Sequence, residues 1–148
     1  MKKQETGPKA YAALPSMDFV FDIQVTGVES KINWVGKFVY KRPTLGARSR
    51  IDVMRTRLNG DLQNVDDEVR DYNDAVSYLR YTLADYPEWW SESQYGLDLY
   101  DGNVVSEIYN KCMEFENEWK KKVFGGKASA VEVSDDPVKR EAQEASAT

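Results

Sequence analysis

Phe19, Phe21, Ile23 and Val25 alternate with Asp18, Val20, Asp22 and Gln24. A period of two is that of a strand with one buried and one wet face. Residues 27–33 read as a turn. The run from Trp34 to Lys41 then alternates again, with Trp34, Phe38 and Tyr40 on one side and Lys37 and Lys41 on the other. Two such runs joined by a short polar loop predict an antiparallel hairpin. Two strands alone are marginal, so the aromatic face needs a cover.

The rhythm changes after Pro43, where Thr44 is placed to cap a helix. Ala47, Ile51, Met54 and Leu58 recur at helical spacing up to Asn59-Gly60, predicting a first amphipathic helix. A second is expected from Val65 through Val69, Tyr72, Val76, Leu79 and Leu83 to Tyr86, ended by Pro87. Asp66, Asp67 and Glu68 fall in its first turn, where the helix dipole favours acids. Val105, Ile108, Cys112, Phe115 and Trp119 predict a third helix, with Asp101 or Asn103 as cap and Lys120, Lys121 and Lys122 near its end. Gly125-Gly126 closes it, and from Lys127 the chain lacks aromatic residues and periodicity. Such a segment cannot bury enough surface to offset its ordering entropy. The expected architecture is α+β: an N-terminal antiparallel β-hairpin packed on a three-helix bundle. It forms a single domain over residues 17–124, after a flexible leader at 1–16 and before a disordered tail at 125–148.

Composition narrows the chemistry. The 148 residues include no histidine and one cysteine, Cys112. Without imidazole, Ser-His-Asp and Cys-His machinery lack their proton acceptor, and the commonest zinc ligand is missing. Neither a phosphate-binding glycine loop nor a calcium loop is present; Asp98 to Asn103 has the wrong spacing for the latter. No catalytic residue, metal ligand or cofactor is therefore expected, and an enzyme is the least favoured class. One cysteine cannot form an internal disulfide, as suits a reducing cytosol. No apolar run reaches the roughly 20 residues of a membrane span, and the two N-terminal lysines precede no apolar stretch of a secretory signal.

Two features point outward. Trp89 and Trp90 follow Pro87 in the connection after the second helix. They read first as a plug closing the core and second as an aromatic anchor for a partner. Their neighbours Asp85, Glu88 and Glu92 argue against stacking on nucleic-acid bases. The other feature is charge segregation. Between Lys37 and Arg57, seven basic residues stand against Asp52 alone, a balance of +6; between Asp61 and Glu107 the balance is −10. Arg48 and Arg55 flank one side of the stripe formed by Ala47, Ile51, Met54 and Leu58, and Arg50 and Arg57 the other. These arginines either pair with the acidic second helix, adding little stability, or guide an acidic partner segment onto a partly exposed apolar groove. The net charge of −5 argues against nucleic acid as the main ligand.

The layout resembles a known family. A hairpin whose second strand reads Trp34-x-Gly36-x-Phe38 runs into an arginine-bearing helix. An acidic helix then closes on Pro87-x-Trp89-Trp90. Over roughly residues 17–124 this is similar to the tail assembly chaperones of long-tailed bacteriophages. The resemblance implies a non-enzymatic protein of the infected host's cytoplasm that binds a helical tape-measure protein and tail-tube subunits. The family often carries a C-terminal extension made by ribosomal frameshift, which would make the tail here an unshifted end. A virion structural subunit, at the head–tail joint or on the capsid, is the alternative, and a regulatory protein that masks a target a third. Homo-oligomerisation stays open.

Overall fold

The computed structural model describes residues 7–60 and 66–125. The expectations for the first residues of the leader, for Val65 and for the tail beyond Gly125 fall outside them. The protein is α+β, and it divides into two compact units, Met17–Glu114 and Met1–Ser16 with Phe115–Thr148. In the larger unit, β1 (Asp18–Thr26) and β2 (Asn33–Lys41) form the expected antiparallel hairpin, joined by α1 (Leu45–Asn59), α2 (Asp67–Thr82), β3 (Leu83–Asp85) and α3 (Glu88–Glu92). Helix α4 (Gly102–Phe124) begins in this unit and ends in the smaller one.

The register pairs Asp18 with Lys41 and Asp22 with Lys37 across the strands. Opposite charges thus face each other on the outer side of the hairpin, an arrangement that favours this register. The inner side carries Phe21, Ile23, Phe38 and Tyr40, all buried. Its rings stack in sequence: Phe19 on Phe21 at 5.3 Å and Phe21 on Phe38 at 5.5 Å. The Tyr40 ring stacks on Tyr78 of α2, and the two hydroxyls share a short hydrogen bond.

Helix α2 is shorter than its periodicity predicts. It starts at Asp67, capped by the Asp66 carboxylate, which accepts from Glu68 N at 2.9 Å, and it stops at Thr82. Leu83 continues the helical spacing from Leu79, yet Leu83–Asp85 is a third strand, paired antiparallel to β2. Pro87 supplies part of the reason, because the residue before a proline is pushed out of the helical region. The edge of β2 supplies the rest, offering the freed backbone a ladder. Among the described residues the sheet therefore has three strands, in the order β1-β2-β3.

Trp89 and Trp90 lie on the one-and-a-half turns of α3, not in an open connection. Adjacent helical residues point about 100° apart, so only one can face inward. Trp90 is 0% exposed and meets Phe38 edge-on at 6.0 Å. Trp89 sits half-buried at the rim, tilted against Trp34 at 4.8 Å, with its Nε1 donating to Val35 O at 2.9 Å. Pro87 lies so close over Gly36 that an added Cβ would stand 2.5 Å from its Cγ; only glycine lets α3 dock on β2 there. The buried core around this corner comprises Val76, Leu79, Leu83, Val104, Val105, Ile108 and Cys112.

In the smaller unit, Gly7–Ala13 is a 3-10 helix, where a loose leader is expected. Trp119 of α4 is buried and its Nε1 donates to Pro15 O at 3.3 Å. That bond ties the segment just after the 3-10 helix to α4.

Burying Trp90 removes roughly 150–250 Å² from water, at about 25 cal/mol per Å². Its Nε1 has no hydrogen-bond partner among the described residues, an offsetting cost of about 1–3 kcal/mol. The plug still wins. Replacing Trp90 with Ala is expected to cost about 3–5 kcal/mol in urea unfolding, against a smaller loss for Trp89→Ala at the rim. A Trp90→Ala variant as stable as the wild type would contradict the packing described.

Candidate functional site

The site expected from sequence centres on α1. Thr44 Oγ1 caps it by accepting from Ala47 N at 3.2 Å, and Gly60, at φ 62°, ends it by donating to Thr56 O. Its C-terminal end is fastened to α2: Asn59 Nδ2 donates to Asp74 Oδ1 at 3.2 Å, and Asn73 Nδ2 donates to Asn59 Oδ1 at 2.9 Å. Ala47, Ile51, Met54 and Leu58 are all half-buried, while Arg48, Arg50, Arg55 and Arg57 are all exposed. The stripe is thus only partly covered, on a helix whose C-terminal end is held to α2. What α1 offers to solvent is its opposite crest, where Leu45 is 83% and Val53 is 52% exposed.

The arginines do not pair with α2 among the described residues. Arg55 pairs instead with Asp52, three positions earlier on its own helix, an exposed contact of small worth. The acidic second helix and the basic first helix remain two distinct charged surfaces.

Trp89 and Trp90 separate in role. Trp90 is fully buried, so it is removed from the expected partner-binding set: a side chain without exposed surface cannot anchor a partner. Trp89 keeps partial exposure, with its indole nitrogen already used by Val35 O.

The sequence pattern misses a polar clasp. Asp101 and Asn103, expected as helix caps, serve the β1–β2 loop instead. The Asp101 carboxylate is buried, with 1% of the residue exposed. Its Oδ1 accepts from Glu29 N and Ser30 N, both at 2.9 Å; its Oδ2 accepts from the Ser30 hydroxyl and from Trp34 Nε1 at 3.1 Å. Asn103 adds two bonds, accepting from Val28 N at 3.1 Å and donating to Thr26 O at 2.9 Å. Gly27 is required beneath this arrangement, since a Cβ there would fall 2.1 Å from Asp101 Oδ2. The Ser30 hydroxyl and amide, with help from Trp34 and Glu29, hold the Asp101 carboxyl at about 2, below its ordinary 3.8. The partners lie some 70 positions apart in the chain, so no local motif announces them.

Beside the clasp opens a cleft of about 410 Å³, lined by Val28, Glu29, Glu68, Val69, Tyr72, Leu97 and Tyr100 among others. A second hollow of about 420 Å³ shares Glu68 and Tyr72 and adds Asp71, Asp74 and Tyr109. Burial and the nearby Asp74 raise the Tyr109 phenol above its ordinary value. Among the described residues, no group of three or more acidic, cysteine or histidine side chains is placed to hold a metal ion, and no helix is long and apolar enough to cross a membrane.

Comparison with protein families, with curated proteins and with solved structures finds no match for this chain.

The clasp makes a prediction about acid. Because the folded pKa of Asp101 is lowered, its contribution is complete above the ordinary 3.8 and is lost as pH falls through about 2. Asp101→Asn leaves loop donors short of an acceptor and is expected to lower the thermal midpoint at neutral pH. Its deficit against the wild type should close as pH drops through that window. A deficit that stays constant with pH would show that the carboxylate charge is not what closes the loop.

Proposed function

We propose that this chain is a non-enzymatic assembly protein that works by binding other polypeptides through the outward face of α1. One observation supports this most: four exposed arginines flank a crest bearing Leu45 and Val53, on a helix already fastened to α2 by its other side. A cationic rim around apolar residues suits a partner segment of mixed apolar and acidic character, with the charges steering encounter and the apolar residues giving hold. The partner class follows from the resemblance carried by the hairpin, the arginine-bearing helix and the Pro87-Trp90 corner. On that reading the chain is a tail assembly chaperone of a long-tailed bacteriophage. It holds the tape-measure protein or tail-tube subunits in the host cytoplasm before they assemble.

The test is co-expression of the full chain with a tape-measure fragment and, separately, with a tail-tube subunit. The wild type should co-purify with at least one. Arg50→Glu with Arg57→Glu should weaken capture by about ten-fold or more, with circular dichroism unchanged because both side chains are exposed. Equal capture by variant and wild type would remove α1 as the binding face. Recovery of the chain at fixed high copy in purified particles would favour the virion-subunit alternative.

A further inference from the structure

The acid-rimmed cleft is a second surface that the binding role of α1 leaves unused. Its apolar lining is exposed to an unusual degree: Val28 is 63%, Val69 49%, Leu97 44% and Tyr100 84% exposed, and all four line the same hollow. Isolated exposed apolar residues need no explanation, but several converging on one concavity mark a contact surface. Its rim is acidic, with Glu29 and Glu68 at the cleft and Asp71 and Asp74 continuing into the adjoining hollow.

The complement of this surface lies on the same chain. The outer side of α1 carries Leu45 and Val53, about 12 Å apart along the axis and about 80° apart around it, with the exposed Ser49, Asp52 and Thr56 beside them and two pairs of exposed arginines at its flanks. The basic flanks match the acidic rim, and Leu45 and Val53 are the apolar residues that this face brings to the cleft. The crest cannot enter its own cleft, because the opposite side of α1 is tied down on α2 through Asn59, Asn73 and Asp74. The occupant has to come from another molecule.

We infer that the cleft lined by Val28, Val69, Leu97 and Tyr100 receives the α1 crest of a second copy of this chain. The contact is heterologous, with each copy offering one α1 and one cleft, so it extends head to tail or closes as a ring. This holds whatever the client of α1 is. If a client exists, it competes with the neighbouring copy for the same face.

The experiment is sedimentation velocity on the full chain over a range of concentrations. It is run at about 0.01 M salt, where charges act over ~30 Å, and at about 1 M, where they act over ~3 Å. The wild type should self-associate at low salt, and its apparent dissociation constant should rise by about ten-fold or more at high salt. Arg50→Glu with Arg57→Glu makes α1 acidic; Glu29→Lys with Glu68→Lys makes the rim basic. Each variant alone should sediment as a monomer, and a mixture of the two should associate, because each α1 then meets a rim of opposite sign. Tyr100→Ser, at an exposed position, should weaken association without altering circular dichroism, and keeps the test open if a charge variant misfolds. A wild type that stays monomeric at low salt overturns the proposal, as does association unaffected by every variant. So does a client, and no second copy, protecting the cleft. The rim variant should still capture the tape-measure fragment, so loss of self-association and loss of client binding are read separately.

Discussion

One buried carboxylate organises the larger unit. Asp101 gathers two backbone amides, a hydroxyl and an indole from a loop and strand far away in the chain. In doing so it fixes where the β-hairpin ends relative to the first turn of α4. Trp34 takes its position from that bond and is the ring against which Trp89 tilts. Trp89 and Pro87 in turn hold α3 on β2, and α3 delivers Trp90 to the core. The polar clasp and the aromatic plug are thus two ends of one chain of contacts. An unpaired buried carboxylate would be expensive, so the loop has to supply every donor for the arrangement to stabilise anything.

That scaffold explains why the charged surfaces remain separate. With α1 fastened by asparagine bonds and a half-buried stripe, its four arginines are exposed and form no ion pair with α2 among the described residues. Exposed arginines stand on α1 and acidic residues line the cleft, and these are the two surfaces that the proposed contacts use. Contacts of this kind gain mainly in encounter rate and register, while the apolar residues at their centres supply the hold.

Where local periodicity governs, the fold was legible in the sequence. The alternation in β1 and β2 reports real inner and outer faces, and the stripe of Ala47, Ile51, Met54 and Leu58 marks the packed side of α1. The failures have physical causes. Leu83 kept helical spacing but was captured by the open edge of β2. Asp101 and Asn103 have the identities and position of helix caps, and only tertiary structure reveals that their side chains turn back to a loop some 70 positions earlier. Of the candidate site, the four arginines are exposed, but the pairing with α2 that their charge suggests is not found among the described residues. Trp89 and Trp90 read first as a plug and second as an anchor, because adjacent tryptophans look alike in a sequence; the short helix gives Trp90 the first role and leaves Trp89 at the rim. Leu45 and Val53 carry no periodic signal, because they lie off the stripe and about 80° apart around the helix.

The most direct measurement is arginine-selective chemical footprinting of the full chain, alone and in complex with a co-purified polypeptide. The account predicts that Arg48, Arg50, Arg55 and Arg57 all react in the free monomer and become protected together in the complex, while Arg70 and Arg80 change little. Four α1 arginines that stay equally reactive in a stable complex would contradict it.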